Sequence, residues 1–167
     1  MTRSPFVVQL AEVLAVPGRQ QDLALAGPLP GVALSTARVP DDAVVVLDAT
    51  IESQGQQVIV QGTVTAPWEG ECRRCLEPVG GELALDLREV FEPDPVEGET
   101  FPTDDETIDL GPPLREALAL ALPLAPLCQE DCAGPDPEEH PIVTEESNGE
   151  APADPRWAAL DQLRFDR

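Results

Sequence analysis

The chain has 167 residues, with 32 Asp and Glu against 10 basic residues and a formal net charge of −22. All the basic residues are arginine, since the sequence contains no lysine. Length predicts one domain with room for an appended segment. The charge argues against a nucleic-acid or anionic-membrane surface unless the arginines cluster; it either attracts basic proteins or serves only to keep the protein soluble. No apolar run approaches the roughly 20 residues that span a bilayer. Gln9 and Glu12 interrupt the apolar N-terminal stretch, so no targeting segment is recognised and a cytoplasmic protein is expected.

Residues 1–40 carry weak signals: Phe6-Val7-Val8 reads as a short strand, Pro17-Gly18 as a turn, and residues 28–32 follow no pattern. The clearest signal covers residues 41–66. Val45, Leu47, Ala49 and Ile51 alternate with Val46, Asp48, Thr50 and Glu52; after Ser53-Gln54-Gly55-Gln56, Val58, Val60, Gly62 and Val64 alternate with Ile59, Gln61, Thr63 and Thr65. Period-two alternation around a glycine-containing turn predicts a hairpin. Leu83, Leu85 and Leu87 predict a third strand, with Gly80-Gly81 as its turn. Three such strands leave one apolar face in need of a cover.

Residues 112–122 supply the cover. Pro112-Pro113 suits a helix start, and only Arg115 and Glu116 are polar thereafter, which predicts a helix buried all round. Residues 92–107, acidic and rich in Pro and Gly, predict a surface loop. Residues 129–154 hold nine Asp and Glu, four prolines and no basic residue, a composition that cannot offset the entropy of ordering. After this tether, Asp154-Pro155 begins a short C-terminal helix with Trp157, Leu160 and Leu163 along one stripe. Trp157 is then either an anchor clamping the helix onto its own domain or a partner contact. The expected organisation is an α+β domain over 1–132, an acidic linker over 133–153 and a C-terminal helix over 154–167. The sheet is antiparallel, either open or curled toward a barrel.

Four cysteines fall in two close pairs, Cys72 and Cys75 in C-R-R-C and Cys128 and Cys132 in C-Q-E-D-C. Two short-spaced pairs far apart in sequence are how a chain builds one tetrahedral zinc site, each pair giving one edge. In a reducing cytosol metal is favoured over disulfides, and buried free thiols are the remaining alternative. His140 is the only other soft ligand. Arg73 and Arg74 lie between the first cysteines; they either compensate the negative charge of a four-thiolate zinc site or contact RNA phosphate.

In order along the chain, C-R-R-C-L-E-P (Cys72 to Pro78), L-A-L-A-L-P-L-A-P-L-C-Q-E-D-C-A-G (Leu118 to Gly134) and D-P-R-W-A-A-L (Asp154 to Leu160) resemble the YceD family, the large ribosomal RNA subunit accumulation proteins. The resemblance covers about residues 40–163. It implies a role in large-subunit ribosomal RNA accumulation and no established catalytic activity. Genes of the family commonly neighbour that of a zinc-binding large-subunit ribosomal protein. Many relatives add a further cysteine cluster after the second pair; here Ala133-Gly134 runs into Pro135-Asp136-Pro137 without one.

No enzyme motif stands out. A single histidine leaves no catalytic triad, there is no phosphate-binding glycine loop, and a four-thiolate zinc is coordinatively closed. The expected function is therefore non-enzymatic. A basic ribosomal or RNA-processing protein is the expected partner, with no membrane and no small-molecule substrate. The alternatives are direct binding or processing of ribosomal RNA by clustered arginines and, in a third class, a thiol redox enzyme using C-R-R-C.

Overall fold

In the computed structural model, residues 4–139 are described, apart from 17, 105, 136 and 137. Strands and helices follow in the order β1 (Val7–Gln9), α1 (Ala11–Leu14), β2 (Gln20–Pro28), β3 (Ala37–Arg38), β4 (Val44–Gln54), β5 (Gln57–Glu71), β6 (Pro78–Glu92), β7 (Phe101–Pro102), β8 (Thr107–Asp109) and α2 (Gly111–Ala121). The main sheet has the order β2-β4-β5-β6-β7, with β3 paired to the far end of β5, while β1 and β8 form a separate pair. Every pairing is antiparallel except β6 with β7. The sheet is open and does not close into a barrel. The fold is thus α+β.

The expected hairpin is β4–β5. Strand pairing runs to Gln54↔Gln57, so the turn is only Gly55-Gln56, with Gly55 at φ +66°. Glycine with positive φ at the first loop position belongs to the type II′ turn, whose twist matches its strands. Alternation puts Val45, Leu47, Ile51, Val58, Val60, Val64 and Ala66 in the core. Ala49 faces Gly62 across the strands, and a Cβ on Gly62 would run into the Asp48 carbonyl oxygen and Ala49. The glycine is there because the backbones approach too closely for a side chain.

Gly80-Gly81 is not a turn. Both lie inside β6, opposite Glu69 and Trp68 of β5, and a Cβ on Gly80 would stand 2.7 Å from the Trp68 carbonyl oxygen. The turn between β5 and β6 is the cysteine segment 72–77 itself. The 92–107 stretch is not wholly loop: β7 lies within it, and the Phe101 ring packs 5.7 Å from that of Phe91.

Helix α2 forms where expected but is not buried all round. Gly111, Pro113, Leu114 and Leu118 are buried, whereas Leu120 is 81% exposed. One face meets the sheet, and burying Leu114 and Leu118 there contributes roughly 2 kcal/mol each. The rest of the cover comes from the poorly read N-terminal forty residues, through Phe6, Leu10, Val13, Leu29 and Val32. Strand β2 carried almost no signal because only Leu23 of its nine residues is fully buried.

Met1–Cys132 form one unit and Ala133–Arg167 another. The expected tether from residue 140 onward, the C-terminal helix with Trp157, and His140 fall outside the described residues. No helix among the described residues is long and apolar enough to cross a membrane.

Candidate metal centre

Strand β5 ends at Glu71 and β6 starts at Pro78, so their connection holds Cys72 and Cys75 on a tight loop. The Cys72 amide donates to the Glu77 carbonyl at 2.8 Å, and the Leu76 amide to the Cys72 carbonyl at 2.9 Å. Closing this loop puts Leu76 at φ +64°, the one non-glycine residue with positive φ among those described. A second segment approaches from α2. Leu122, at φ −59° and ψ 139°, ends the helix before Pro123, and the chain bends at Leu124-Ala125 on its way to Cys128. Two bonds hold it: Thr36 Oγ1 donates to the Pro123 carbonyl at 3.2 Å, and the Arg73 amide to the Pro126 carbonyl at 2.8 Å.

All four Sγ atoms lie within 4.8 Å of one another. The short contacts cross between the loops, Cys72 to Cys132 at 3.8 Å and Cys75 to Cys128 at 3.7 Å. A tetrahedral ion with sulfur ligands at about 2.3 Å requires sulfur–sulfur edges of about 3.8 Å. A disulfide would need about 2.05 Å. The cysteines are free, Cys72 and Cys132 buried, Cys75 half-buried and Cys128 exposed. The donor set and its spacing therefore fit a thiophilic, tetrahedral metal ion, with one side of the cluster in the core and the other at the surface.

The thiols differ electrostatically. Backbone amides of Cys75, then Cys128, then Arg74 hold the Cys72 thiol down at about 6. Contact with the Cys132 thiol, then desolvation, pushes Cys128 up to about 12. At Cys75 the Glu77 amide pulls the thiol down, yet burial and the neighbouring Cys72 and Cys132 thiols leave it raised overall. Crowded thiols resist shared ionisation, which is the tension a divalent cation relieves.

The two arginines part company. Arg74 Nη1 donates to the Cys132 carbonyl at 2.8 Å and to the Glu130 carbonyl at 3.3 Å, clamping the second cysteine loop to the first. The Arg73 side chain is exposed. Sequence reasoning brought the four cysteines together but missed the Arg74 clamp, Thr36 and the strained Leu76. No local pattern marks a carbonyl as a future acceptor, and glycine would have been the expected residue at positive φ.

A family model described as large ribosomal RNA subunit accumulation protein YceD matches residues 60–164. That span contains both cysteine loops. An uncharacterized protein of Mycobacterium tuberculosis (strain ATCC 25618 / H37Rv) is 37% identical over 169 aligned positions, covering 96% of this chain and 82% of that protein. An uncharacterized protein of Mycobacterium bovis matches to the same extent. One from Mycobacterium leprae is 35% identical over 126 positions, 70% of this chain and 58% of that protein. No solved structure matches. With its cysteine loops and α2 inside the matched span, the chain belongs to the YceD family, named for accumulation of the large ribosomal RNA subunit.

Proposed function

We propose that this protein supports accumulation of large-subunit (23S) ribosomal RNA in the cytoplasm as a non-enzymatic factor that binds a basic protein. In this reading zinc, held by Cys72, Cys75, Cys128 and Cys132, is a structural staple. Four thiolates leave no open position for water, so the metal would join the β5–β6 loop to the segment after α2 and supply no hydrolytic chemistry.

The placement of the arginines carries the assignment of a protein partner. Arg38 forms a salt bridge with Glu69 at 2.7 Å, and Arg74 and Arg115 are turned onto backbone carbonyls. Arg19 precedes β2, Arg73 lies in the β5–β6 connection and Arg88 is on β6. A nucleic-acid face gathers its cations into a stripe. Here three of the six described arginines are engaged by a carboxylate or a carbonyl, in a chain of net charge −22, which favours a basic protein. The C-R-R-C segment joins two strands and does not open a helix, the setting that activates redox thiols. This supports a staple over a redox enzyme.

The test has two parts. Depleting the protein in its host should lower the ratio of 23S to 16S ribosomal RNA. Purified protein, titrated with basic large-subunit ribosomal proteins and with 23S RNA fragments, should bind a protein with an on-rate that falls with salt. Tight binding to the RNA fragments alone would favour direct RNA contact.

A further inference from the structure

Among the described residues, strand β6 is paired along one side and unpaired over most of the other. It pairs with β5 from Pro78 to Phe91, while on its other side β7 takes only Phe91 and Glu92. Among the described residues, no backbone hydrogen bond from any element except β5 reaches residues 79–89. An unpaired edge of this length is a ready template for another strand.

The side chains along this edge specify what would fit. On the inner face, Leu83 and Leu85 are only half-buried, although Leu87 beside them is buried. An added strand placing apolar residues next to them would complete that burial. On the outer face, Glu82, Ala84, Asp86 and Arg88 are exposed. Across the paired side Glu82 faces Pro67, and Asp86 faces Thr63, whose hydroxyl donates to Asp86 Oδ1 at 3.3 Å. Neither carboxylate has a cation opposite it, and opposite-charge cross-strand pairs stabilise a sheet. A second copy of this chain fits poorly, because it brings another net charge of −22 to an acidic edge.

We propose that residues 79–89 of β6 accept an extended segment of a basic protein as an added strand, its apolar residues against Leu83 and Leu85 and its Arg or Lys residues facing Glu82 and Asp86. The proposal rests on the reading of a basic partner and names its docking edge. Main-chain hydrogen bonds would give affinity, and the alternating side chains specificity.

The probe is a capped ten-residue peptide of alternating valine and arginine, with two versions N-methylated on alternate residues, one for each strand edge. Charge is the same in all three. Full-length protein is titrated with each, and amide exchange is followed residue by residue. The parent peptide should bind and slow the outward amides of residues 79–89 at least tenfold. One methylated version should bind at least tenfold more weakly, and the double variant Glu82→Gln with Asp86→Asn should weaken the parent at least fivefold. Equal binding of all three peptides, or no binding, overturns the proposal. Slow exchange of the outward amides before any peptide is added also overturns it, since the chain's own segment or a second copy would then hold the edge. If capture fails while depletion still lowers 23S RNA, the docking edge is wrong and the ribosomal reading survives. If capture succeeds while depletion leaves 23S RNA unchanged, the edge survives and the ribosomal role falls.

Discussion

The Arg74 guanidinium donates to the Cys132 carbonyl at 2.8 Å, so a residue of one cysteine loop holds the backbone of a cysteine on the other. Arg73, its immediate neighbour, makes no such contact with its side chain. The pair therefore separates a role in the cluster from a role at the surface. Arg74→Gln should destabilise the protein by about 1 kcal/mol, the usual net worth of such a bond, and should speed metal loss to a chelator. Arg73→Gln should leave both unchanged. Denaturant titration and chelator kinetics on the two variants check this.

Protein purified without added metal should carry one equivalent of zinc, and cobalt substitution should give the absorption bands of a tetrahedral thiolate site. Chelation at metal a hundredfold above its dissociation constant should remove about 3 kcal/mol of stability. Protons compete for the ligands, so affinity should fall as pH falls. Cys128, pushed up to about 12, should give up a proton to the metal across the whole neutral range, whereas Cys72, held at about 6, should give one up only near and below that pH. Calorimetry in buffers of different ionisation enthalpy counts the protons.

Leu76 sits at φ +64° and is 66% exposed, so it stores strain and returns little burial. An L-residue in this conformation costs roughly 1–2 kcal/mol, partly offset on substitution by the greater chain entropy of glycine. Leu76→Gly should therefore stabilise the protein slightly, by about 0.5 kcal/mol net. Leu76→Val should destabilise it, since β-branched residues tolerate positive φ worst. Opposite signs in chemical denaturation are the expected result.

Glu89 shares the inner face of β6 with Leu87 and Phe91, and its carboxyl is raised above the ordinary value of 4.5, first by burial and then by the nearby Glu116 charge. A raised acid penalises the folded state once it ionises. The penalty is absent well below pH 4.5, builds as pH rises from 4.5 toward the raised folded value, and is full above it. Glu89→Gln should accordingly raise the melting temperature at pH 7 and leave it unchanged near pH 4. A melting series across that range decides it.

Gly62 has Ala49 on one side and Leu87 on the other in register. Gly62→Val should cost about 3 kcal/mol by overpacking the β4–β5 contact. If thermal melts show the variant as stable as the parent, the close approach of these strands is wrong.

The elements legible in the sequence were those fixed by neighbours a few residues away. The β4–β5 alternation, the third strand and the Pro-initiated α2 all declare themselves within a dozen residues, and the cysteine spacing foretold which side chains would meet. Strand β2 was illegible because its identity comes from pairing with β4, nine residues in register, and not from its own pattern. Gly80-Gly81 misled for a related reason. The pair has the composition of a turn, but the backbone and ring of Trp68 across the sheet are what require the missing side chains. Helix α2 is apolar except for Arg115 and Glu116, and only the tertiary fold decides that Leu118 is covered and Leu120 is not.

The order in which the ligands leave the ribosome has its own consequence. Cys72 and Cys75 emerge with the β5–β6 hairpin, but their partners follow more than fifty positions later, after α2. At a usual elongation rate of roughly 5–20 residues per second, the nascent sheet spends several seconds with half a cluster exposed. A metal held by all four cysteines would then be captured last, a latch that shuts only on a finished domain, and a chain stalled before Cys128 would be left with two free thiols at the tip of its longest hairpin.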